Sequence, residues 1–418
     1  MSIVLNNEQE LAKNELLEFI LTPNELKQDS IIVLSGAAGT GKTTLLKSVI
    51  DNYKAIKELN KVINMPTTKV GWEFTAMTHK AARVLTRVIK LHVDTLHRKL
   101  MIRPTKDGYD FYGFTLYLEP NIDKEVIVVD EASYIDSKIL NYICELVSKE
   151  PKLQFILIGD PYQLPPVGMD HAPVFNAGFK TVHLEQSVRQ SNAPHLAQTV
   201  NTLRQSATQG KLHTIKADNK EVLYLDKKAW DKQIISTFNQ GISAKVIQYT
   251  NHQVQASNKK INRQLTGNRE IEVGDTMVIC GKLIDSSIIP LDSEVTVMSI
   301  DGYYPNGTAE LQLPHYDLRL EDISGTMYKQ LVIQNHKVYT ELAKQQMTLR
   351  SGPPYIWHLR YAYACTVHKS QGSTYDEVFI NLNSYRSVYK NNPAMALKLL
   401  YVAVSRARNK VYFTGDIG

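Results

Sequence analysis

Short apolar runs alternate with amphipathic segments between residues 29 and about 185. This alternation is typical of strands that are buried in a parallel sheet and joined by crossover helices. The predicted strands of this first region are 30–34, 73–77, 126–129 and 155–158. Because the last two run directly into an acidic residue, the pattern predicts a parallel α/β sheet with carboxylates at strand ends.

A second α/β pattern begins near residue 246. Its predicted strands are 246–249, 361–365, 378–382 and 411–414. Between them, residues 270–355 are rich in Gly, Pro, Tyr and alternating β-branched side chains, as at 294–298 and 310–313. That composition favours an all-β insertion. Two α/β units of this kind would place a cleft between them.

The composition is that of an ordinary globular protein, with 418 residues of which 43% are hydrophobic, enough for about two to four domains. A formal charge of +6 allows binding to a polyanion but does not require it. Cys144, Cys280 and Cys365 form no C-x-x-C pair, which argues against a zinc site or a disulfide framework and favours a reducing compartment. No signal-peptide pattern and no apolar run near the ~18 residues of a membrane span are present. We therefore expect a cytoplasmic protein that does not act on membranes.

The first predicted strand leads into residues 36–43, which fit the G-x-x-x-x-G-K-[ST] phosphate loop, or P-loop. A predicted helix follows, so backbone N–H groups would surround a phosphate at a helix N-terminus. Lys42 can reach the β- and γ-phosphates of ATP, and the Thr43 hydroxyl can coordinate Mg²⁺. A chance match is roughly a one-in-a-hundred event in a chain of this length. The predicted nucleotide contacts of this segment are Gly36, Ala37, Ala38, Gly39, Thr40, Gly41, Lys42, Thr43 and Thr44.

The strand predicted at 126–129 ends in Asp130 and Glu131. Asp130 at the strand end can hold Mg²⁺, and Glu131 can orient and deprotonate an attacking water. An Asp-Glu pair after a strand is also common as a solvated turn, and taken alone the two interpretations are equally good. Its position after a P-loop favours the catalytic pair.

Residues 159–167, Gly-Asp-Pro-Tyr-Gln-Leu-Pro-Pro-Val, resemble motif III of the superfamily 1 DNA helicases. The form Thr-Val-His-Lys-Ser-Gln-Gly at 366–372 is most similar to the RecD and Dda branch, and the compact length favours the Dda type. Ser405 stands where threonine is usual and retains a hydroxyl. Other segments resemble further motifs in the expected order: 75–82 (Ia), 94–97 (Ib), 184–189 (IV), 364–374 (V) and 400–407 (VI).

This resemblance implies an α/β fold with two RecA-like P-loop domains that contain parallel sheets. It also implies a small β-hairpin insertion and a β-rich, SH3-like insertion. The expected limits are 1–97 and 121–185 for domain 1A, 98–120 for the hairpin 1B, 186–269 and 356–418 for domain 2A, and 270–355 for the β-rich 2B.

The resemblance also implies roles for single residues. Gln9 would read the adenine, Gln163 would sense the γ-phosphate, and Gly372 would contact the nucleotide. Arg189 and Arg406 lie late in the chain, and a cleft between two domains would let them reach the γ-phosphate from the opposite wall and stabilise transition-state charge. The alternative for each is a surface arginine paired with a carboxylate.

A motor that accepts every sequence should contact mainly the sugar-phosphate backbone of DNA. Hydroxyl, imidazole and ammonium groups suit that purpose, although a lone histidine is more often a hydrogen-bonded structural residue than a ligand. The predicted DNA contacts are Thr78, His79, Lys80, His97, Thr250, Asn251, Thr366, His368 and Lys369.

Residues 98–120 carry a hairpin signal, with Asp107 and Gly108 as the turn. By resemblance, an exposed Tyr109 or Phe111 would stack on the last base pair and split the duplex. The alternative is an ordinary surface hairpin whose aromatic side chains pack inward.

Together these patterns predict a monomeric, ATP- and Mg²⁺-dependent DNA helicase that moves on single-stranded DNA and opens duplex/single-strand junctions. The 5′ to 3′ direction is implied by resemblance alone, and a single-strand-binding or replication protein is the expected kind of protein partner. The alternative is a nucleic-acid-stimulated ATPase that acts as a switch or remodeller without separating strands. A metabolic P-loop kinase would have no need of motifs Ia, Ib, V and VI.

Overall fold

The structure is a computed structural model. It describes residues 4–23, 29–105, 108–117, 119, 121–166, 168–267, 270–283, 289, 291–308, 311–322, 325–346 and 356–417.

The first domain is a doubly wound α/β unit. Its six parallel strands have the order β3-β2-β6-β7-β1-β8. The elements, with the hairpin β4–β5, are α1 (Asn7–Leu21), β1 (Ile31–Gly36), α2 (Lys42–Val62), β2 (Val70–Ala76), α3 (His79–Ile89), β3 (Asp94–Thr95), α4 (Leu96–Lys99), β4 (Ile102–Thr105), β5 (Gly108–Phe111), β6 (Lys124–Asp130), α5 (Ser137–Lys149), β7 (Leu153–Gly159) and β8 (Lys180–Leu184).

Both faces of this sheet are covered, which explains the continuous apolar run of β1. Ile32 and Leu34 pack under α1, α2 and α3, whereas Ile31 and Val33 pack on the face of α5. Every residue of β1 and of β7 is buried. A strand buried on both faces reads as an unbroken apolar run instead of an alternating one.

The second domain has α6 as its first helix and holds a five-stranded parallel sheet in the order β16-β10-β17-β18-β9. Its first elements are α6 (Pro194–Gln209), β9 (Val222–Tyr224), α7 (Lys227–Asn239), β10 (Ala244–Gln248) and α8 (Asn251–Thr266).

A closed β-barrel lies between the two parts of the second domain and has Trp357 fully buried in its core. Its elements are β11 (Thr276–Leu283), β12 (Glu294–Tyr304), β13 (His315–Asp322), β14 (Met327–Val332), α9 (His336–Gln346) and β15 (Ile356–Tyr361). The remaining elements of the second domain are β16 (Ala364–Thr366), α10 (Val367–Ser370), β17 (Tyr375–Asn381), α11 (Arg386–Asn391), α12 (Pro393–Val404) and β18 (Ala407–Thr414).

The predicted fold class is confirmed: two parallel α/β domains with a β-rich insertion. Several local predictions need correction. The strand predicted at 361–365 is two strands, because Tyr361 pairs with Met277 and closes the barrel before Ala364 joins the second sheet. For the same reason β15 carries the barrel past the predicted limit of 355.

Residues 311–313, whose alternating pattern contributed to the expectation of a β-rich insertion, form no strand, and Glu310 lies outside the described residues. The Thr308 N–H donates to the Leu311 carbonyl at 2.8 Å, so the chain turns there instead of extending. The helix α9 inside the insertion was not predicted. Within the described residues, no helix is long and apolar enough to cross a membrane.

Candidate active site and nucleic-acid interface

The P-loop joins β1 to α2, as its sequence pattern predicts. Gly39 and Gly41 have φ angles of 86° and 82°, a backbone region that glycine adopts without strain. A Cβ atom on Gly39 would lie 2.6 Å from the Arg189 Cβ. Close approach of a second-domain segment therefore adds a second reason for glycine at this position.

The Lys42 ammonium lies inside the loop. Its Nζ donates hydrogen bonds to the carbonyls of Gly36 at 2.7 Å and Ala37 at 3.0 Å. Burial lowers the pKa of Lys42, and the negative charge of Asp160 opposes that shift. The two carbonyl oxygens carry only partial negative charge. A phosphate bound in the loop would give the Lys42 ammonium a fully anionic partner.

Gln9 packs against the P-loop from the start of α1. Its Nε2 donates to the Thr40 carbonyl at 2.9 Å, and its Oε1 accepts the Asn6 N–H at 3.0 Å, as part of a capping box. The side chain is 4% exposed. Its location beside the loop agrees with a nucleotide contact, and its adenine-reading role stays a prediction.

Asp130 and Glu131 lie at the end of β6, facing Lys42. Burial raises the pKa of Asp130, and its Oδ1 accepts the Glu131 N–H at 2.9 Å. Burial and the neighbouring Asp130 raise the pKa of Glu131 to about 7, while Arg406 opposes the shift. Such a pKa suits a general base near neutral pH.

The backbone of Glu131 is left-handed, with φ 56° and ψ 42°. A non-glycine residue in this region is strained by about 1–3 kcal/mol and is found most often at functional sites. The strain aims the Glu131 side chain away from the strand axis and into the cavity that the P-loop also lines.

The oxygens of Thr43 and Asp130 fit Mg²⁺. Thr43 is the second residue of α2 and lines the same cavity as Asp130, a buried carboxylate with no salt bridge to any described residue. Mg²⁺ in phosphate-handling sites is commonly held by one or two such protein ligands together with the phosphates.

Two second-domain arginines close the cavity from the other side. Arg189 donates from Nη1 to the Ser405 carbonyl at 2.8 Å, and its own N–H donates to the Gly39 carbonyl at 3.1 Å. Arg406 is 2% exposed and donates to the Val402 carbonyl at 3.0 Å. Burial and the nearby Arg406 lower the pKa of Arg189 to about 10.

Neither arginine forms a salt bridge with any described residue. Two guanidinium groups, that of Arg406 buried and that of Arg189 half-buried, have no carboxylate partner among the described residues and make this wall strongly attractive to an anion. The Ser405 hydroxyl accepts a hydrogen bond from Arg406 Nη2 at 3.0 Å and donates to Val402 at 2.8 Å, so serine serves here where threonine is usual.

We call the resulting space the P-loop cavity; its volume is about 370 Å³. Walls from both domains enclose it. The described residues that line it include the following predicted nucleotide contacts and catalytic residues: Ala38, Gly39, Gly41, Lys42, Thr43, Thr44, Asp130, Glu131, Gln163, Arg189, Gly372 and Arg406.

A larger space, the second cleft, adjoins the P-loop cavity and has a volume of about 890 Å³. The first domain, the second domain, the hairpin and the barrel all contribute to its walls. The predicted DNA contacts that line it are Thr78, His79, Lys80, His97, His368 and Lys369. Asn251 instead lines a small pocket next to Lys80 and Lys369, and neither Thr250 nor Thr366 is among the described lining residues of either space.

The three predicted threonines share one local geometry. Thr78, Thr250 and Thr366 each follow a parallel strand and cap the helix that comes next. Each hydroxyl oxygen accepts a backbone N–H, so its proton remains available for another acceptor.

Cations of the second cleft already have partners. Lys80 Nζ donates to the Lys369 carbonyl at 2.6 Å, and the Lys369 ammonium lies 2.5 Å from Asp292 Oδ1 on the barrel. Arg83 of α3 lies 3.6 Å from the Asp322 carboxylate. These contacts dock the barrel onto both α/β domains.

Comparison with known families agrees with this two-domain arrangement. Residues 6–222, just over half of the chain, match the family model described as AAA domain, and residues 361–414 match the UvrD-like helicase C-terminal domain. The chain belongs to the AAA domain family. Together with the relatives described next, these matches confirm the predicted recognition as an ATP-hydrolysing superfamily 1 DNA helicase of the RecD and Dda branch.

Individual relatives are distant. The ATP-dependent DNA helicase Dda of Enterobacteria phage T4 is 23% identical over 433 residues, which cover 91% of this chain and 94% of that protein. The ATP-dependent RecD2 DNA helicase of Deinococcus radiodurans is 26% identical over 404 residues, and this chain spans about half of it, 48%. A Bacteroides Pif1 helicase structure in complex with ADP-AlF3 and single-stranded DNA has a TM-score of 0.52 at 16% identity and covers 100% of this chain and 94% of that one.

The hairpin of this helicase packs inward. Tyr109 donates its hydroxyl to Asp136 Oδ2 at 2.8 Å, and burial together with Asp136 raises the pKa of Tyr109 to about 12. The Phe111 ring lies 4.5 Å from that of Tyr142 and remains 39% exposed. The strand-separating role of these rings stays a prediction; Asp107 of the turn lies outside the described residues.

Sequence reasoning missed a set of polar side chains between the two spaces of the helicase. Tyr134, Asp160, Gln371 and Tyr401 are all hydrogen-bonded there. Asp160 was noted only as the acidic residue beyond the strand predicted at 155–158 and was given no role of its own. Nothing in the sequence distinguishes Tyr401 from its buried neighbours in α12.

Proposed function

We propose that this chain is an ATP-dependent DNA helicase that translocates on single-stranded DNA from 5′ to 3′ and separates duplex DNA at a single-strand junction. The names of the Dda and RecD2 relatives support the reaction, and the ligands of the Bacteroides Pif1 structure support ATP and single-stranded DNA as its substrates. The active unit in this proposal is a monomer, and a single-strand-binding or replication protein is the expected kind of partner.

One observation carries the proposal: the P-loop cavity and the second cleft share wall residues. Ala81, Glu131 and Gly372 line both spaces. A ligand that draws the two domains together around the P-loop must therefore change the shape of the second cleft. That is the geometry a motor needs to convert hydrolysis into alternating grip on a strand.

In the ATPase half of the cycle, Lys42 and the loop N–H groups bind the β- and γ-phosphates. Mg²⁺, held by Thr43 and Asp130, would neutralise phosphate charge. Glu131 orients the attacking water and accepts its proton. Arg189 and Arg406 stabilise the charge that develops on the γ-phosphate, because their guanidinium groups have no carboxylate partner among the described residues.

In the DNA half of the cycle, the second cleft contacts the strand backbone. Thr78, His79 and Lys80 form the first-domain grip, and His368 and Lys369 form the second-domain grip. Contacts of this type do not depend on base identity, which suits a motor. The hairpin separates the duplex at the entrance to the cleft, where Pro104 forms part of the wall.

The packing of the hairpin favours a second candidate, a DNA-stimulated ATPase that does not separate strands. Tyr109 is bonded to Asp136 and Phe111 packs on Tyr142, so both rings already have partners within the chain, although Phe111 keeps an exposed face. This candidate shares the ATPase and the DNA cleft with the first and differs only in the last step.

The deciding experiment compares duplexes that carry a 5′ tail, a 3′ tail or no tail, with ATP and Mg²⁺ present. We expect ATP hydrolysis to rise with single-stranded DNA and strand separation to occur only with the 5′ tail. Stimulated hydrolysis without separation would select the second candidate. Strand separation of the duplex with the 3′ tail would reverse the proposed direction of translocation. An ATP hydrolysis rate that does not change when DNA is added would overturn both candidates.

A further inference from the structure

The hydroxyl of Tyr401 links the two domains at the P-loop. Tyr401 belongs to α12, and its ring is fully buried in the core of the second domain. Its hydroxyl accepts the Ala38 N–H at 3.0 Å and donates to Asp160 Oδ2 at 2.8 Å. Burial raises the pKa of Tyr401 well above its ordinary range, so the proton needed for donation is retained.

Hydrogen bonds continue from Asp160 to the second cleft. Gln163 Nε2 lies 3.4 Å from Asp160 Oδ2, and Gln371 Nε2 donates to Gln163 Oε1 at 3.2 Å. The Tyr134 hydroxyl donates to Gln371 Oε1. Tyr134 and Gln371 both line the second cleft, whereas Asp160 and Gln163 line the P-loop cavity.

This path runs from Ala38 through Tyr401, Asp160, Gln163 and Gln371 to Tyr134 and crosses the domain boundary four times. The crossings are the hydrogen bonds Ala38–Tyr401, Tyr401–Asp160, Gln163–Gln371 and Gln371–Tyr134. The exposed fractions of its inner members are 0% for Tyr401, 1% for Asp160, and 6% each for Gln163 and Gln371.

Such burial makes the path sensitive to change at either end. A buried polar group that loses its hydrogen-bond partner is strongly disfavoured, so displacement of one member favours rearrangement of the next. The Ala38 N–H lies on the wall where the phosphates of a nucleotide would be held, and Tyr401 is its present acceptor.

We propose that Tyr401 is a positioning residue that couples occupancy of the P-loop to the second cleft through Asp160, Gln163, Gln371 and Tyr134. The inference rests on the proposed function. A phosphate oxygen at the Ala38 N–H displaces the Tyr401 hydroxyl, which remains bonded to Asp160 and carries the change toward Gln163. Because coupling between two binding sites is reciprocal, DNA in the second cleft alters nucleotide affinity by the same factor.

The test measures that factor directly, without catalysis. The affinity for a labelled oligo(dT) strand is measured with and without the non-hydrolysable analogue AMP-PNP and Mg²⁺, and the ratio of the two dissociation constants is the coupling factor. We expect wild-type protein to give a factor of at least about 5 in either direction, as allosteric sites commonly do. In Tyr401→Phe, which keeps the ring, the factor should fall to below about 2, while binding of AMP-PNP alone is retained.

Tyr385→Phe is the matched control. Tyr385 is equally buried in the same core, but among the described residues its hydroxyl donates a hydrogen bond only to the Ile247 carbonyl of its own domain, at 3.4 Å. This variant should keep the wild-type factor and report any general effect of removing a buried hydroxyl.

Tyr134→Phe tests the far end of the path. It should lower the coupling factor as Tyr401→Phe does, and the double variant should show no further loss because both changes interrupt one path. Wild-type coupling in Tyr401→Phe, or additive losses in the double variant, would overturn the inference. So would a wild-type protein that binds both ligands without coupling them. A wild-type protein that binds neither AMP-PNP nor DNA would instead refute the proposed function, and the inference with it.

Discussion

The P-loop cavity and the second cleft share a wall, yet their charged groups are arranged in opposite ways. In the P-loop cavity Arg406 is 2% exposed and, like Asp130, has no ion-pair partner among the described residues. In the second cleft the Lys369 side chain is 40% exposed and is already paired with Asp292. The first site holds largely buried charges that are hydrogen-bonded but have no ion-pair partner among the described residues, and the second holds a solvent-exposed charge that is paired with a carboxylate.

This difference determines how each site should respond to change. Buried charges interact strongly and suffer large penalties when a partner is removed, so loss of one group should disable the P-loop cavity. Exposed ion pairs are worth about 0–1 kcal/mol, so single changes in the second cleft should shift affinity gradually.

The largest effect is expected for Lys42→Ala. Without the ammonium inside the loop, the phosphates lose their main side-chain partner, and ATP turnover should fall by at least about a thousandfold. Steady-state ATPase measurements with circular dichroism as the folding check would test this. Lys54→Ala on the exposed face of the same helix is the control and should keep wild-type turnover. Turnover within tenfold of wild type in Lys42→Ala would mean that the P-loop cavity is not the ATPase site.

Glu131→Gln should separate binding from chemistry. The amide keeps the shape of the side chain but cannot accept the water's proton, so hydrolysis should fall by about 10²–10⁴ while nucleotide binding is retained. Fluorescent ADP binding and single-turnover hydrolysis give the two readouts, with Glu145→Gln on the exposed side of α5 as control. If Glu131→Gln hydrolyses ATP at near wild-type rate, another group is the base.

The sequence predicted the P-loop cavity better than the second cleft, for a physical reason. On the first-domain side of the P-loop cavity, the functional residues lie at or just after the end of a strand. Lys42 follows the strand Ile31–Gly36, and β6 ends in Asp130. Local order along the chain therefore fixes local geometry. The strands β1 and β7 were also predicted from the sequence, because both faces of the sheet are buried there and such strands are continuous apolar runs.

The path through Tyr401 could not be predicted in this way. Its bonds join residues that are 241 positions apart for Tyr401 and Asp160 and 208 apart for Gln371 and Gln163. Only the packing of one domain against the other brings them together. The Lys369–Asp292 pair and the closure of the barrel by Tyr361 depend on long-range packing in the same sense.

The barrel should be acid-sensitive through His358. This side chain is buried and lies beside Ile333, Arg360 and His336. Burial lowers the pKa of His358 to about 4 from its ordinary 6.5; Arg360 and His336 add to that shift, and the hydrogen bond with the Ile333 carbonyl opposes it. Below pH 6.5 the unfolded barrel binds a proton that the folded barrel does not, so stability should fall as the pH drops from 6.5 toward 4, by at most about 3 kcal/mol. Above pH 6.5 the group contributes no pH dependence.

The measurement is the urea midpoint of the barrel at pH 7.5 and pH 5, read from Trp357 fluorescence in a background with Trp72 and Trp230 changed to Phe. His358→Gln should reduce the difference between the two midpoints, whereas His252→Gln, at an exposed site, should leave it unchanged. Equal acid sensitivity in all three proteins would assign the effect to other groups.

We expect the smallest effect for Asp292→Asn. This variant is also the sharpest test of the comparison between the P-loop cavity and the second cleft. A DNA phosphate that binds Lys369 must displace the Asp292 carboxylate, which lies 2.5 Å from the ammonium. Asn removes the competing charge and tolerates the left-handed backbone of this position, φ 64°. Affinity for oligo(dT) should rise by about two- to fivefold, the range of an exposed ion pair, and the gain should shrink at high salt.

Asp301→Asn is the control, because Asp301 pairs with Arg319 on the barrel and is not among the described residues that line the second cleft. A loss of affinity in Asp292→Asn would show that Asp292 positions Lys369 for DNA instead of competing with the DNA phosphate. The second cleft would then depend on a fixed ion pair, much as the P-loop cavity depends on its buried charges.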